Sequence, residues 1–270
     1  MNFAIPFMRN FKYLNEDIQL NINYKPEIKE LDNFIGEYKN HRVNLIIKDF
    51  NSAIDLDIIK TLVEKYQDSE IIVCLPIYTV DLEEIFNENN IKHYYNELVT
   101  SWDKFQGFLS LNVTDIFVAE EILFSAETLS FNAKQHNKKL RAFCNVCQSS
   151  WDKTPSIKTF FVRPEDLFLY NDIIDTFEFY VDEKDYVKMN TLYEIYTKNK
   201  KWYGKLSEII VGYEGKEDSR FIIPNFGNKR LNCGKKCMYG IKPSCHICDR
   251  VQELEQLLKK EKIAVKIENK

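Results

Sequence analysis

The feature that most constrains this chain is a repeated alternation between short apolar runs and longer stretches with helical periodicity. Such alternation predicts strand–helix units built around a parallel sheet. Eight candidate strands follow one another at residues 18–24, 43–48, 71–75, 92–95, 115–119, 140–144, 159–162 and 176–181. Because eight parallel strands close a barrel, the pattern favours an α/β fold of the (β/α)8 TIM type.

A helical pattern follows each candidate strand. These patterns lie at residues 26–38, 55–66, 102–111, 125–136, 149–158, 164–171 and 185–199, with one more that starts at residue 81. Asp81 is placed to cap its helix with its own carboxylate. The apolar run at residues 3–7 is not one of the eight candidate strands, and we expect it to cover the bottom of the barrel or to extend an edge.

An open doubly wound sheet is the alternative architecture. It is disfavoured because no glycine-rich phosphate-binding turn follows the first strand, and the chain has only 8 glycines. We therefore expect residues 1–199 to form the barrel. Residues 200–270 are expected to form a C-terminal metal-binding appendage that includes a charged helix at 249–261.

Four cysteines lie close together in that appendage: Cys233, Cys237, Cys245 and Cys248. Thiolates this close repel one another unless a cation neutralises them, so the cluster predicts a metal centre. The two-residue spacing of Cys245 and Cys248 suits a zinc knuckle, and zinc is the favoured metal. The looser spacing of Cys233 and Cys237 keeps a 4Fe-4S cluster as the alternative.

The charge distribution restricts the partners of the chain. A formal net charge of −4 argues against nonspecific coating of nucleic acid, which depends on neutralising many phosphates. Residues 229–250 nevertheless carry six basic side chains and one acid. Compensation of a thiolate-rich metal site is one interpretation of that excess, and a local contact with RNA or DNA is the other.

The sequence also bears on where the chain works. It shows neither a signal-peptide pattern nor an apolar run of membrane-spanning length, so a cytoplasmic location is expected. Its 7 cysteines are an odd number, and clustered cysteines in a reducing compartment indicate metal rather than disulfides.

In a TIM-type barrel the catalytic groups come from the C-terminal ends of the strands. Glu120 directly follows an apolar strand and is predicted to act as acid or base. Arg163 is placed to clamp an anion. Asn145 and Gln148 are predicted to orient the substrate. Cys144 and Cys147 have two-residue spacing and are either a second metal or redox pair or core residues.

Residues 113–166 carry a resemblance to a known family. The stretches at 139–145 and 161–166, which follow the strand that ends in Glu120, resemble the barrel of the collagenase-like U32 peptidase family. The resemblance implies a TIM-type barrel beside a cysteine-ligated metal centre, and family members include peptidases and tRNA or quinone hydroxylation factors with an iron–sulfur cluster. Because the cysteines here form a compact group after the last barrel helix, no catalytic residue is transferred.

Two functions follow as expectations. The first is a metal-containing TIM-barrel enzyme that acts on a small or nucleotide-derived anionic ligand, with nucleic-acid or cofactor modification as the reaction class. The alternative is a noncatalytic binding or assembly protein in which the barrel is a scaffold and a four-cysteine zinc site is structural.

Overall fold

The computed structural model describes residues 2–23, 28–38, 40–48, 50, 52–67, 70–119, 126–146, 162, 164, 167, 170–198 and 206–211. Eight parallel strands form one sheet within these residues. They are β1 (Asn2–Pro6), β2 (Ile18–Asn23), β3 (Arg42–Ile46), β4 (Ile71–Leu75), β5 (His93–Tyr95), β6 (Asp115–Phe117), β7 (Lys139–Phe143) and β8 (Thr176–Glu178).

The strands follow one another around a nearly closed ring. Each strand pairs with the next in sequence from β1 to β5 and from β6 to β8, and β8 pairs with β1. Between β5 and β6, the Thr114 amide donates to His93 O at 2.9 Å, and Val99 forms a parallel bridge to Val118. The prediction of a TIM-type barrel with eight parallel strands is therefore confirmed.

The membership of the ring differs from the prediction. The leftover run at the N-terminus is a full barrel strand, because β1 pairs with β2 on one side and with β8 on the other. Residues 159–161 lie outside the described residues, but β7 pairs directly with β8 through Arg141 and Thr176. The predicted strand at 159–162 therefore has no position in the ring, and the prediction of eight strands after residue 18 is wrong.

The helices within the described residues are α1 (Ile28–Glu37), α2 (Ser52–Lys65), α3 (Val80–Glu88), α4 (Trp102–Leu109), α5 (Ala126–Gln135), α6 (Tyr186–Thr197) and α7 (Leu206–Ile209). The first six match predicted helices. Thr79, not Asp81, caps α3, because its hydroxyl accepts the Leu82 amide at 3.2 Å. None of these described helices is both long and apolar enough to cross a membrane.

The outer faces of the strands pack against these helices in the main apolar core. On β1, Phe3 stacks on Phe179 with ring centroids 5.6 Å apart and meets Tyr193 of α6 edge-on at 5.7 Å. Helix α6 therefore covers the first strand, which is followed by turns and bends rather than by a helix before β2. The predicted helices at 149–158 and 249–261 lie outside the described residues.

Candidate active site at the barrel mouth

The interior of the barrel is unusually polar. Side chains alternate between the two faces of a strand, and the register places Gln19 and Asn21 of β2 beside Arg42 and Asn44 of β3. Barrel interiors are more commonly filled with branched apolar residues. We call the following set the interior polar column: Gln19, Asn21, Arg42, Asn44, Asp115, Arg141, Thr176 and Glu178.

Arg141 stands at the centre of the column and is fully buried. One guanidinium nitrogen donates to Glu178 Oε1, while Nη2 donates to Gln19 Oε1 at 2.7 Å and to Asp115 Oδ2 at 3.0 Å. The guanidinium carbon also lies 4.5 Å from the centroid of the Tyr94 ring. Arg141 therefore joins four strands, β2, β5, β6 and β8, to its own.

The lower end of the column is an ion pair. Arg42 and Asp115 begin β3 and β6, and Arg42 Nη2 donates to Asp115 Oδ2. Burial by itself raises the pKa of Asp115, but the guanidiniums of Arg42 and Arg141 outweigh burial and hold that pKa below its ordinary value. Asp115 is therefore an ionised structural group at neutral pH.

The upper end of the column faces the mouth. Glu178 closes β8, and its Oε2 accepts a hydrogen bond from Asn21 Nδ2 at 3.2 Å. Asn21 Oδ1 in turn accepts Asn44 Nδ2 at 2.7 Å. These contacts orient the Asn21 amide and place the Glu178 carboxylate at the floor of the mouth.

A cavity of about 530 Å³ opens at the C-terminal ends of β1 and β2. Asn21 and Asn23 line it from the interior face of β2, and Arg9 and Glu183 line it from the loops after β1 and β8. The remaining lining residues are Phe7, Ile22, Leu31, Asn33, Phe34 and Glu37, so the cavity lies between β2 and α1 and meets the interior polar column at Asn21.

Three aromatic rings form the other side of the mouth, and we call Phe117, Phe143 and Tyr180 the aromatic wall. The rings of Phe117 and Phe143 are 4.7 Å apart, and those of Phe143 and Tyr180 are 5.8 Å apart and nearly perpendicular. Phe117 is buried, Phe143 is half-buried, and Tyr180 is 57% exposed. The wall thus runs from the core to solvent.

One predicted site residue can be placed. Asn145 is fully buried, its Oδ1 accepts the Tyr180 amide at 2.8 Å, and its Nδ2 donates to Tyr180 O at 3.0 Å. Its side chain therefore binds the β8 exit, and its role in orienting a substrate stays a prediction. Glu120, Gln148 and Arg163 lie outside the described residues.

The predicted metal ligands Cys233, Cys237, Cys245 and Cys248 also lie outside the described residues, as does Cys147. Within the part of the chain that the structure describes, no group of three or more His, Cys, Asp or Glu side chains is placed to hold a metal ion. Cys144 is buried and its pKa is raised by burial, while burial raises the pKa of Cys74, inside the barrel, to about 12. Both thiols are protonated at neutral pH.

The sequence did carry a signal for the interior polar column. Gln19, Asn21 and Asn23 alternate with apolar residues along β2, and Arg42 and Asn44 do so along β3. In a closed barrel flanked by helices both strand faces are covered, so polar residues at alternate positions have to line the interior. The predicted site residues all follow the ends of strands, so these interior positions were not among them.

Neither the family models nor the curated proteins contain a match to this chain. Among solved structures, a mutant tryptophan synthase alpha-subunit from the hyperthermophile Pyrococcus furiosus is similar over 78% of this chain and 97% of that chain, with 13% identity and a TM-score of 0.39. A score this low does not establish a shared fold, so the barrel assignment rests on strand order and register.

Proposed function

We propose that the chain is a (β/α)8-barrel enzyme that acts on a small or nucleotide-derived anionic substrate at the C-terminal mouth. The observation that carries the proposal is Glu178, a carboxylate at the floor of the mouth whose Oε1 is held by Arg141. Its Oε2 accepts a hydrogen bond from Asn21, which also lines the cavity. A carboxylate fixed in this way can accept a hydrogen bond or a proton from a bound molecule.

Two cations support an anionic substrate. The β3 ladder continues to Ile47, whose amide donates to Cys74 O at 3.0 Å, and Lys48 follows at a bend at the C-terminal end of that strand. Lys48 is exposed, and Arg9 lines the cavity together with the carboxylates of Glu37 and Glu183. Glu120 and Gln148 come shortly after β6 and β7, and Arg163 lies in the long connection between β7 and β8; we retain them as proposed acid or base, orienting residue and anion clamp.

The interior polar column bears on the choice between enzyme and scaffold. Its two arginines balance Asp115 and Glu178, which favours the alternative of a noncatalytic scaffold. However, Asn44 Oδ1, Asp115 Oδ1 and Arg141 Nε find no hydrogen-bond partner among the described residues. Unsatisfied buried polar atoms cost stability that an apolar core would not lose, so retaining them favours a functional interior.

A binding screen tests the proposal. Nucleoside monophosphates, sugar phosphates and small carboxylic acids are screened by thermal shift, and dissociation constants are measured for the compounds that stabilise the protein. We expect Lys48→Met to weaken anion binding about tenfold, which corresponds to about 1.4 kcal/mol. Lys92→Met removes an exposed charge just before β5, at the opposite end of the barrel, and should change nothing.

The outcome separates the two functions. If no compound in the panel binds, or if Lys48→Met and Lys92→Met weaken binding equally, the mouth is not the anion site and the scaffold alternative is preferred. Turnover of a bound compound that is lost in Glu178→Gln, with binding retained, identifies Glu178 as a catalytic residue.

We also propose that Cys233, Cys237, Cys245 and Cys248 hold one zinc ion, with a 4Fe-4S cluster as the alternative. The support is their spacing in the sequence, together with the resemblance of residues 113–166 to a family with a cysteine-ligated centre. Elemental analysis and visible absorption of anaerobically purified protein test this. A colourless sample with zinc supports the proposal, a brown sample with iron and sulfide supports the cluster, and a sample with neither metal overturns both.

A further inference from the structure

The mouth of the barrel has two chemically different sides. The aromatic wall stands on β6, β7 and the β8 exit, while Asn21 and Asn23 stand on β2. In a ring of eight strands in sequence order, Phe117 on β6 lies opposite β2, while Phe143 on β7 and Tyr180 after β8 lie between these two positions. Asn21 Nδ2 donates at 3.2 Å to Oε2 of Glu178, two residues before Tyr180, so the amides and the aromatic rings border the same opening. Glu178 lies at the floor between them.

The exposed ring of the wall is held in position. Tyr180 is 57% exposed, yet both its backbone amide and its carbonyl are bound by the Asn145 side chain. Its ring meets the Phe143 ring nearly at a right angle, at 87°. A corner of two perpendicular rings offers one face and one edge, which a third planar ring can meet by stacking and edge contact.

The amides of β2 supply a polar edge. Asn21 is oriented by its bonds to Glu178 and Asn44, and Asn23 is half-buried at the rim of the cavity. Carboxamides present a donor and an acceptor side by side, which matches the edge of a heterocycle that carries both ring nitrogens and exocyclic groups. The Glu178 carboxylate adds an acceptor for a ring N–H.

We propose that the mouth binds a nucleotide through its base, a planar nitrogen heterocycle stacked on Tyr180 and Phe143 with its polar edge toward Asn21 and Asn23. The inference rests on the proposed function, which places the substrate at this mouth with its anionic group near Lys48 and Arg9. Asn145 then acts as a positioning residue, because it holds the stacking ring and does not itself face the ligand.

The test compares adenosine monophosphate with ribose phosphate, which carries the same anionic group without a base. Because a base gains affinity by stacking on an aromatic ring, the nucleotide should bind about tenfold more tightly. Tyr180→Leu should remove most of that difference and leave the affinity for ribose phosphate unchanged. Tyr180→Phe keeps the ring and should preserve the difference.

Two further variants serve as controls for this test. Tyr186→Leu replaces another exposed tyrosine near the β8 exit, at the start of α6, and should leave both affinities unchanged. Asn145→Ala should lower the affinity for the nucleotide more than that for ribose phosphate, whereas a merely destabilising change would lower both equally.

The results distinguish the two proposals. If ribose phosphate and the nucleotide bind equally tightly and both depend on Lys48, the anion site stands and the heterocycle inference is overturned. If neither compound binds, or if Lys48→Met leaves binding unchanged, the proposed function itself is wrong for this class of ligand. A nucleotide preference that survives Tyr180→Leu also overturns the inference.

Discussion

Arg141 shows how one buried side chain can bind together several strands. Its guanidinium contacts Gln19, Asp115 and Glu178 while it covers the Tyr94 ring, and no part of it reaches solvent. Removing one partner of a buried ion pair leaves the other charge uncompensated in a medium of low polarity. Substitution of Arg141 should therefore destabilise the fold more than substitution of any exposed charged residue.

The first prediction concerns the contribution of Arg141 to stability. Arg141→Met should lower the free energy of unfolding by about 3–5 kcal/mol, because Glu178 loses its ion-pair partner and Asp115 loses one of two. Urea denaturation followed by circular dichroism measures the change. Lys198→Met breaks an exposed pair with Glu194 and should leave the midpoint almost unchanged. Equal effects of the two substitutions would contradict the central role of Arg141.

At the scale of elements, the strand–helix rhythm predicted most of the barrel but misassigned one strand. The run at residues 3–7 is short and apolar, and periodicity alone does not show whether such a run is a barrel strand or a lid. The eight predicted barrel strands included residues 159–162 instead, because these residues are also apolar and have a strand-like composition. What decides between them is the pairing of β1 with β8, a contact between distant parts of the chain that local sequence does not contain.

The second prediction tests the place of β1. Ile5 is fully buried on the helix-facing side of that strand, so Ile5→Ala should cost about 2–5 kcal/mol of unfolding free energy. Val80→Ala removes methyl groups from a side chain that is 56% exposed and should cost far less. Comparable small losses for both substitutions would indicate that β1 is a peripheral lid.

A group of hydrogen bonds around the Glu83 carboxylate joins α3 to β5. The Glu83 carboxylate accepts hydrogen bonds from Tyr95 Oη at 2.8 Å and from the Asn112 amide at 2.7 Å, and lies 3.0 Å from His93 Nε2. Burial alone raises the pKa of Glu83, but the hydrogen bonds from His93, Asn112 and Tyr95 outweigh burial and hold the pKa below its ordinary value. The ionised form is therefore the one that stabilises the fold.

The pH dependence of stability follows from the lowered pKa of Glu83. The contribution of Glu83 is fully present above the ordinary glutamate pKa of about 4.3 and is lost as the pH falls through the lower pKa of the folded state. Glu83→Gln should be less stable than the wild type at neutral pH and should lose less stability on acidification. Urea midpoints from about pH 7 to about pH 3 measure this. Glu88→Gln, at an exposed position on the same helix, should keep the wild-type slope.

At the scale of the whole molecule, the sequence predicted the end of the barrel that carries the candidate site but few of its described residues. Fold class alone directs attention to the C-terminal ends of the strands, where Asn145 and Lys48 do lie. Glu178, Asn21 and Phe143 were missed because they lie within strands. Their inward orientation is set by the register of the closed ring, which a strand read by itself does not reveal.

The fourth prediction concerns the independence of the barrel from the proposed metal. The hydrogen bonds that close the ring join described residues between Asn2 and Glu178, so Cys245→Ser should leave the cooperative unfolding of the barrel in place. Limited proteolysis should then show faster cleavage within residues 221–262 than in the wild type. Collapse of the whole unfolding transition in the variant would contradict this separation.

The pairing of β1 with β8 has a consequence for biosynthesis. Asn2 leaves the ribosome well before its partner Thr176, which is more than 170 residues behind it. At about 5–20 residues per second the nascent chain waits roughly 10–35 s before the ring can close. During that time the β8-facing edge of β1 has no partner, and Phe3 lacks its contact with Tyr193 of α6. A translational pause before residue 178 would prolong that interval and expose the strand edge to aggregation.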